Sequence, residues 1–172
     1  QLLDKMSAEM RAQMETLTQR IYELAGETFN INSPKQLATI LYDKLKLPKG
    51  KKTHKGFATT NSDAMEYLRD KHPIVEAVME YRKVAKLLSG YVDGLRPLVK
   101  GGLVHTTFNQ TLTSTGRLSS SDPNLQNIPV RDEIGKEIRR MFVSKYGLFV
   151  GADYSQIELR LLANFSGDEN LI

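Results

Sequence analysis

Val99-Lys-Gly101-Gly102-Leu103-Val-His-Thr-Thr-Phe-Asn-Gln-Thr-Leu-Thr113 marks the place where this chain of 172 residues changes texture. From Leu103 to Thr113 the stretch is rich in β-branched and aromatic residues, which suit a pleated, half-buried strand. Before the glycine pair, apolar residues recur every three or four positions, the spacing of one helix face. Helices first and strands after them predict an α+β fold.

Working back from the glycines, Pro73 opens a long helix through Val75, Val78, Tyr81, Ala85, Leu88, Val92 and Leu95, because proline is tolerated at a first helical position. Asn61 or Ser62 caps a short helix through Met65 and Leu68. Ser33-Pro34 starts another, with Leu37, Ile40, Leu41 and Leu45 on one face and an end near Leu47-Pro48. The first helix carries Met6, Met10, Met14, Leu17, Ile21 and Leu24 and stops at Gly26. Its Met-rich stripe reads as core or helix-pair packing, with an adaptable partner surface as the alternative. Working forward, residues 132–142 read as a helix, 147–153 as a short apolar strand, and Ile157, Leu161, Leu162 and Phe165 as one face of a final helix.

Lys and Arg number 24 against 20 Asp and Glu, a net charge of +4 that leans toward a polyanionic partner. The lean is concentrated between Pro48 and Asn61, where Lys49, Lys51, Lys52 and Lys55 stand among glycines without apolar periodicity, a basic loop. The chain has no cysteine, which excludes disulfides, thiolate metal sites and a cysteine nucleophile, and its three histidines are too scattered for a zinc cluster. No apolar run approaches the roughly 18 residues of a membrane span and no signal peptide opens the chain, so the expected location is cytoplasmic. Both ends fall in or just after helical patterns and read as cut.

Two stretches carry candidate chemistry. In Gly151-Ala-Asp153-Tyr154-Ser-Gln156-Ile157-Glu158-Leu-Arg160 an apolar strand ends in a carboxylate and turns into a helix. An Asp there is placed to offer oxygen to Mg²⁺. The structural alternative is a helix start with a Ser155-x-x-Glu158 capping box. In Thr115-Gly-Arg117-Leu-Ser-Ser-Ser-Asp122-Pro-Asn124-Leu-Gln126-Asn127-Ile-Pro129-Val-Arg131, hydroxyls, amides and arginines are packed into an irregular segment able to meet phosphates and minor-groove acceptors. The alternative is a solvated polar loop, weakened by Ile128-Pro129-Val130, which reads as pinned against a core. Arg82 and Lys86, four apart on the long helix, are either a phosphate grip or a polar face. There is neither a Walker loop nor a dinucleotide fingerprint.

Together these two stretches resemble the paired signatures of family A DNA polymerases, the bacterial polymerase I type, in the same order and at a similar separation. The likeness extends to Asn30-Ile-Asn-Ser-Pro-Lys-Gln-Leu37, Glu80-Tyr-Arg82, Ala85-Lys86, Phe108-Asn-Gln110 and Ser166-Gly-Asp-Glu-Asn-Leu171, nearly the whole chain. It implies a helical thumb over residues 1–100 and the first strands of an antiparallel palm sheet over 101–172. The thumb tip would hold Lys49, Lys51, Lys52 and Lys55. Arg82 and Lys86 would lie near DNA phosphates, and Asn109, Gln110, Arg117, Asn124, Gln126, Asn127 and Arg131 would line the primer-template track. Asp153 would bind two catalytic Mg²⁺ ions, with the Tyr154 carbonyl as a further ligand. Gln156 and Ile157 would sit near the incoming deoxynucleoside triphosphate, and Glu158 would exclude ribonucleotides at the sugar's 2′ position.

The implied activity is template-directed DNA synthesis in replication and repair. The chain departs from the family in its short Val99–Gly102 turn and in Asn164, where a histidine is common. The family's His-Asp-Glu turn, source of the second metal carboxylate, and its fingers helix have no counterpart in these 172 residues. The expectation is therefore a fragment that binds primer-template DNA and does not polymerise alone, with an exposed palm edge open to self-association. Two other readings compete: a non-catalytic duplex-binding module, in which Asp153 only starts a helix, and a helical interaction protein built on the first helix.

Overall fold

The computed structural model describes residues 2–49, 59–130 and 133–171. They form two compact units, residues 1–141 and 142–172 by their outer limits. The first unit is mainly helical, and its core lies between two long helices. Helix α1, Leu2–Ala25, buries Met6, Met10, Leu17, Ile21 and Ala25, and it runs along α4, Pro73–Leu87, which buries Ile74, Val75, Ala77, Val78, Tyr81, Val84 and Leu87. The methionine stripe is thus packed within the unit. Each fully covered Val, Leu, Ile or Met side chain contributes roughly 1.5–3 kcal/mol. Polar ties fix the pair: the Ser7 hydroxyl donates to Asp93 at 3.0 Å, Arg11 pairs with the same carboxylate, and Arg96 pairs with Asp4 at 2.9 Å.

Local signals set the helix boundaries. Gly26, at φ +69°, ends α1 in the left-handed region that glycine enters without cost. The Ser33 hydroxyl accepts from the Gln36 amide to open α2, Pro34–Ala38. The Asn61 carboxamide accepts from Ala64 at 3.0 Å to open α3, Ser62–Leu68. His72 caps α4 through Nδ1, which accepts from the Ile74 amide at 3.2 Å.

Two helices wind differently from the expected uniform α pattern. After α2 the backbone widens into a π-helix over Thr39–Lys44, closed by the Leu45 amide on the Ile40 carbonyl, and Ile40, Leu41 and Tyr42 are all buried. After α4 a second π turn, Leu88–Val92, is closed by the Asp93 amide on the Leu88 carbonyl. Gly94 follows because a Cβ there would stand 2.6 Å from the Ser89 carbonyl oxygen. Single π turns favour sites where a helix must re-aim its side chains.

The strands are shorter than the texture of residues 103–113 predicts. β1, Val99–Lys100, pairs antiparallel with β2, Leu103–Val104, across Gly101-Gly102 at φ +59° and +79°. Two consecutive positive φ values make the two-residue turn that matches strand twist, and glycine supplies both. The chain then leaves that ladder, so β3, Thr107–Asn109, is a separate strand that pairs with β4, Ser119–Ser121. Helix α5, Glu133–Arg140, closes the unit with Ile138 inward.

The second unit corrects one expectation. The apolar run over residues 147–153 forms no strand: Gly147 bends at φ +82°, the residues after it have no regular structure, and Leu148, Phe149 and Val150 are exposed. A strand needs a ladder partner as well as apolar side chains, and no described segment pairs with this one. Helix α6, Ile157–Ser166, follows and ends at Gly167 with φ +64°.

Candidate nucleic-acid interface

The polar segment from Asp122 to Val130 is fixed from three sides while its amide side chains stay outside. At its start the buried Ser120 hydroxyl accepts from the Leu125 amide at 3.0 Å and bonds the Thr106 hydroxyl at 2.6 Å. The Thr106 hydroxyl also reaches the Pro123 carbonyl at 2.8 Å. Asn124 turns its carboxamide oxygen back to accept from the Gln126 amide at 3.0 Å. At its end Tyr91, in the π turn after α4, donates its hydroxyl to the Asn127 carbonyl. Arg139 of α5 donates to the Ile128 carbonyl at 3.4 Å and the Pro129 carbonyl at 3.2 Å. Asn124, Gln126 and Asn127 are exposed. The segment is pinned, but by hydrogen bonds and not against a core as Ile128-Pro129-Val130 predicts: Ile128 and Pro129 are half-buried and Val130 is exposed.

Asn127 and Pro129 share a cleft of about 500 Å³ with Lys83, Lys86, Leu87 and Tyr91. The structure therefore brings Lys86 and Asn127, 41 residues apart by number, to one surface. Lys83 and Tyr91 join them there, and neither follows from local spacing. Burial raises the Tyr91 phenol above its ordinary value of 10.0.

Arg82 lies on α4 with its guanidinium turned to Thr60, donating to that residue's carbonyl and, at 3.2 Å, to its hydroxyl. It is half-buried, and desolvation pulls its guanidinium below the usual arginine value. Thr60 itself is buried, so Arg82 braces the chain just beyond the basic loop, while Lys86 stands exposed one helical turn on.

Of the loop lysines, Lys49 pairs with Asp43 at 3.1 Å. Lys51, Lys52 and Lys55, like Arg131, lie outside the described residues. Asn109 spans the β3–β4 pair, its amide nitrogen 3.2 Å from the Ser121 hydroxyl and 3.4 Å from that of Ser119. Gln110 and Arg117 are exposed in the loop between those strands, and the Arg117 carbonyl accepts from the Thr113 hydroxyl at 2.6 Å.

The second unit carries Asp153, Tyr154, Gln156, Ile157 and Glu158. Asp153 and Tyr154 are exposed on the irregular segment before α6. The helix begins one residue later than a Ser155 cap predicts: Gln156 is the N-cap, at φ +50°, and makes no side-chain cap bond. The Ser155 carbonyl instead accepts from Arg160 Nε at 2.8 Å. Ile157 and Glu158 form the first turn of α6. Among the described residues no three His, Cys, Asp or Glu side chains gather into a metal cluster. The Asp153 carboxylate and the Tyr154 carbonyl are hard oxygen donors that fit part of a Mg²⁺ shell, an ion that keeps waters and substrate phosphates for the rest.

No helix among the described residues is long and apolar enough to cross a membrane. The chain is 54% identical over 174 aligned residues to DNA polymerase I of Geobacillus stearothermophilus and 52% identical to the thermostable DNA polymerase I of Thermus aquaticus, each alignment covering 99% of this chain. It spans about a fifth of the length of these relatives, 20% and 21%. Among solved structures it is similar to the POL domain of Pol1 from M. smegmatis in complex with DNA primer-template and dNTP, at a TM-score of 0.86 and 42% identity, over 98% of this chain and 30% of that one. The family described as DNA polymerase family A matches residues 1–172. With that match running the length of the sequence, the chain belongs to DNA polymerase family A.

Proposed function

We propose that this chain is the thumb, residues 1–100, and the start of the palm, residues 101–172, of a DNA-directed DNA polymerase that adds deoxynucleotides to a primer 3′-hydroxyl in replication and repair. The family match over residues 1–172 carries the proposal. The similar M. smegmatis domain holds primer-template DNA and dNTP, and the same partners are proposed here. The DNA track would take Lys86, Asn109, Gln110, Arg117, Asn124, Gln126, Asn127 and Arg131. Lys49, Lys51, Lys52 and Lys55 would meet phosphates beyond it, and Arg82 would act at the base of their loop. These substrates occur in the cytoplasm, where the protein would work.

Asp153 and the Tyr154 carbonyl would hold divalent metal, Mg²⁺ at two positions, whose chemistry is to stabilise the attacking and leaving oxygens of phosphoryl transfer. The residues of the chain do the rest of the positioning. Gln156 and Ile157 would orient the incoming nucleotide, and Glu158 would crowd its 2′ position. No His-Asp-Glu triplet occurs in the sequence, so the chain alone would bind primer-template DNA without extending it.

The test is a chimera in which these residues replace the matching segment of the Geobacillus stearothermophilus polymerase. Primer extension by the chimera, lost on Asp153→Ala with duplex affinity kept, is the expected result. A chimera that binds duplex DNA and never extends a primer sinks the catalytic reading in favour of a duplex-binding module.

A further inference from the structure

Three consecutive carbonyls of the polar segment, those of Asn127, Ile128 and Pro129, accept hydrogen bonds from side chains of two other elements. Tyr91 takes the first from the end of the long helix. Arg139 takes the other two from α5. Under the same turn Gly135 leaves no room for a side chain, because a Cβ there would stand 2.7 Å from both the Pro129 carbonyl oxygen and Pro129 Cβ. With those carbonyls engaged, the exposed amide side chains of the segment are those of Gln126, Asn127 and Asn124, whose oxygen is held on the Gln126 backbone amide.

We propose that Tyr91 and Arg139 are positioning residues, a two-sided clamp that fixes the amide side chains of residues 124–127 in register for the minor groove. The proposal rests on the duplex-binding reading above and deepens it: both residues act through the backbone they hold. Amide groups read base edges only when their backbone is held to a fraction of an ångström. Loss of one clamp bond frees the segment without removing a phosphate contact, so affinity falls while its salt dependence stays.

The test uses the 172-residue chain with Tyr91→Phe, which deletes one hydroxyl, and Arg139→Gln, with Arg139→Lys as the conservative control. Hydrogen exchange across residues 122–130 is measured together with duplex affinity over a salt series. Expected are faster exchange confined to that segment in Tyr91→Phe and Arg139→Gln, and affinity lower by about three- to ten-fold, the weight of one modest hydrogen bond. The slope of log affinity against log salt should be unchanged, with partial recovery in Arg139→Lys. Unchanged exchange in both variants overturns the clamp. A slope reduced by about one unit in Arg139→Gln also overturns it, since that is the mark of a direct phosphate contact. Faster exchange with unaltered affinity shows that the clamp holds the segment without positioning it for DNA, and the proposal fails there. A parent chain with no duplex affinity sinks the reading beneath the proposal, and the exchange result still decides whether the clamp exists.

Discussion

Gly135 and Arg82 owe their places to what touches them. A methyl at residue 135 meets the Pro129 backbone, which is part of a turn held from two sides and cannot yield as a side chain tip would. Gly135→Ala should therefore cost about 1–3 kcal/mol despite alanine's better helix propensity, the scale of overpacking. Thermal unfolding reads this directly, and an unchanged or higher midpoint refutes it. Arg82 spends its guanidinium on Thr60. Arg82→Ala strips a buried carbonyl of its donor and should cost about 1–3 kcal/mol. It should also change the salt slope of duplex binding less than Lys86→Gln does, because Lys86 is the exposed cation of the two. Equal slope changes would mean that Arg82 leaves Thr60 to meet phosphate. The four-residue spacing of Arg82 and Lys86 suggests one shared face. It is silent on the burial that separates them, since Thr60 lies 22 residues away and no local pattern announces it.

Among the elements, those with strong local signals follow the sequence, and those that depend on a distant partner do not. Asn61 caps α3 as its residue type predicts, and Asn61→Ala should cost about 1 kcal/mol, measurable as a lowered denaturation midpoint. A neutral result would mean that solvent or the neighbouring Ser62 replaces the cap. The Gly101-Gly102 pair marks the change of texture in the sequence, but the hairpin it turns, with β1 ahead of it, appears only in the structure. The π turns were not legible either, since their apolar spacing passes for α-helix and only the backbone bonds tell them apart. The run 147–153 has the composition of a strand, but a ladder needs a second segment, which composition cannot supply. Tyr42, in the first π-helix, ties the chain ahead of α3 by donating to the Thr59 carbonyl at 2.6 Å. Burial raises its phenol above 10.0. The folded state therefore holds this proton where the unfolded state releases it. The associated stability is present below about pH 10 and is lost as pH rises through the folded value. Equilibrium unfolding from pH 8 to 11 should show that loss, and Tyr42→Phe should flatten it. Parallel curves for parent and variant would remove Tyr42 as the cause.

At the scale of the molecule the two units differ in how they handle apolar surface. Residues 1–141 bury a core between α1 and α4 and expose single apolar side chains such as Leu112 and Phe108. Within 142–172, Val143, Tyr146, Leu148, Phe149, Val150 and Phe165 are each more than 70% exposed, Val150 at 98%. An exposed apolar segment without a ladder partner presents side chains that gain from burial, the feature that drives association between copies. The sequence leads one to expect an exposed edge of a palm sheet; this run belongs to no sheet among the described residues, and we predict that its exposed apolar side chains join copies of the isolated chain. Sedimentation velocity should show mass rising with concentration. Phe149→Lys with Val150→Lys should hold the chain monomeric, because each places charge on the segment, while the melting of the helical unit stays where it was. If the parent chain remains monomeric from micromolar to several hundred micromolar, its apolar segment does not associate. If the double variant still associates, the contact lies elsewhere, with Phe165 of α6 the next side chain to replace.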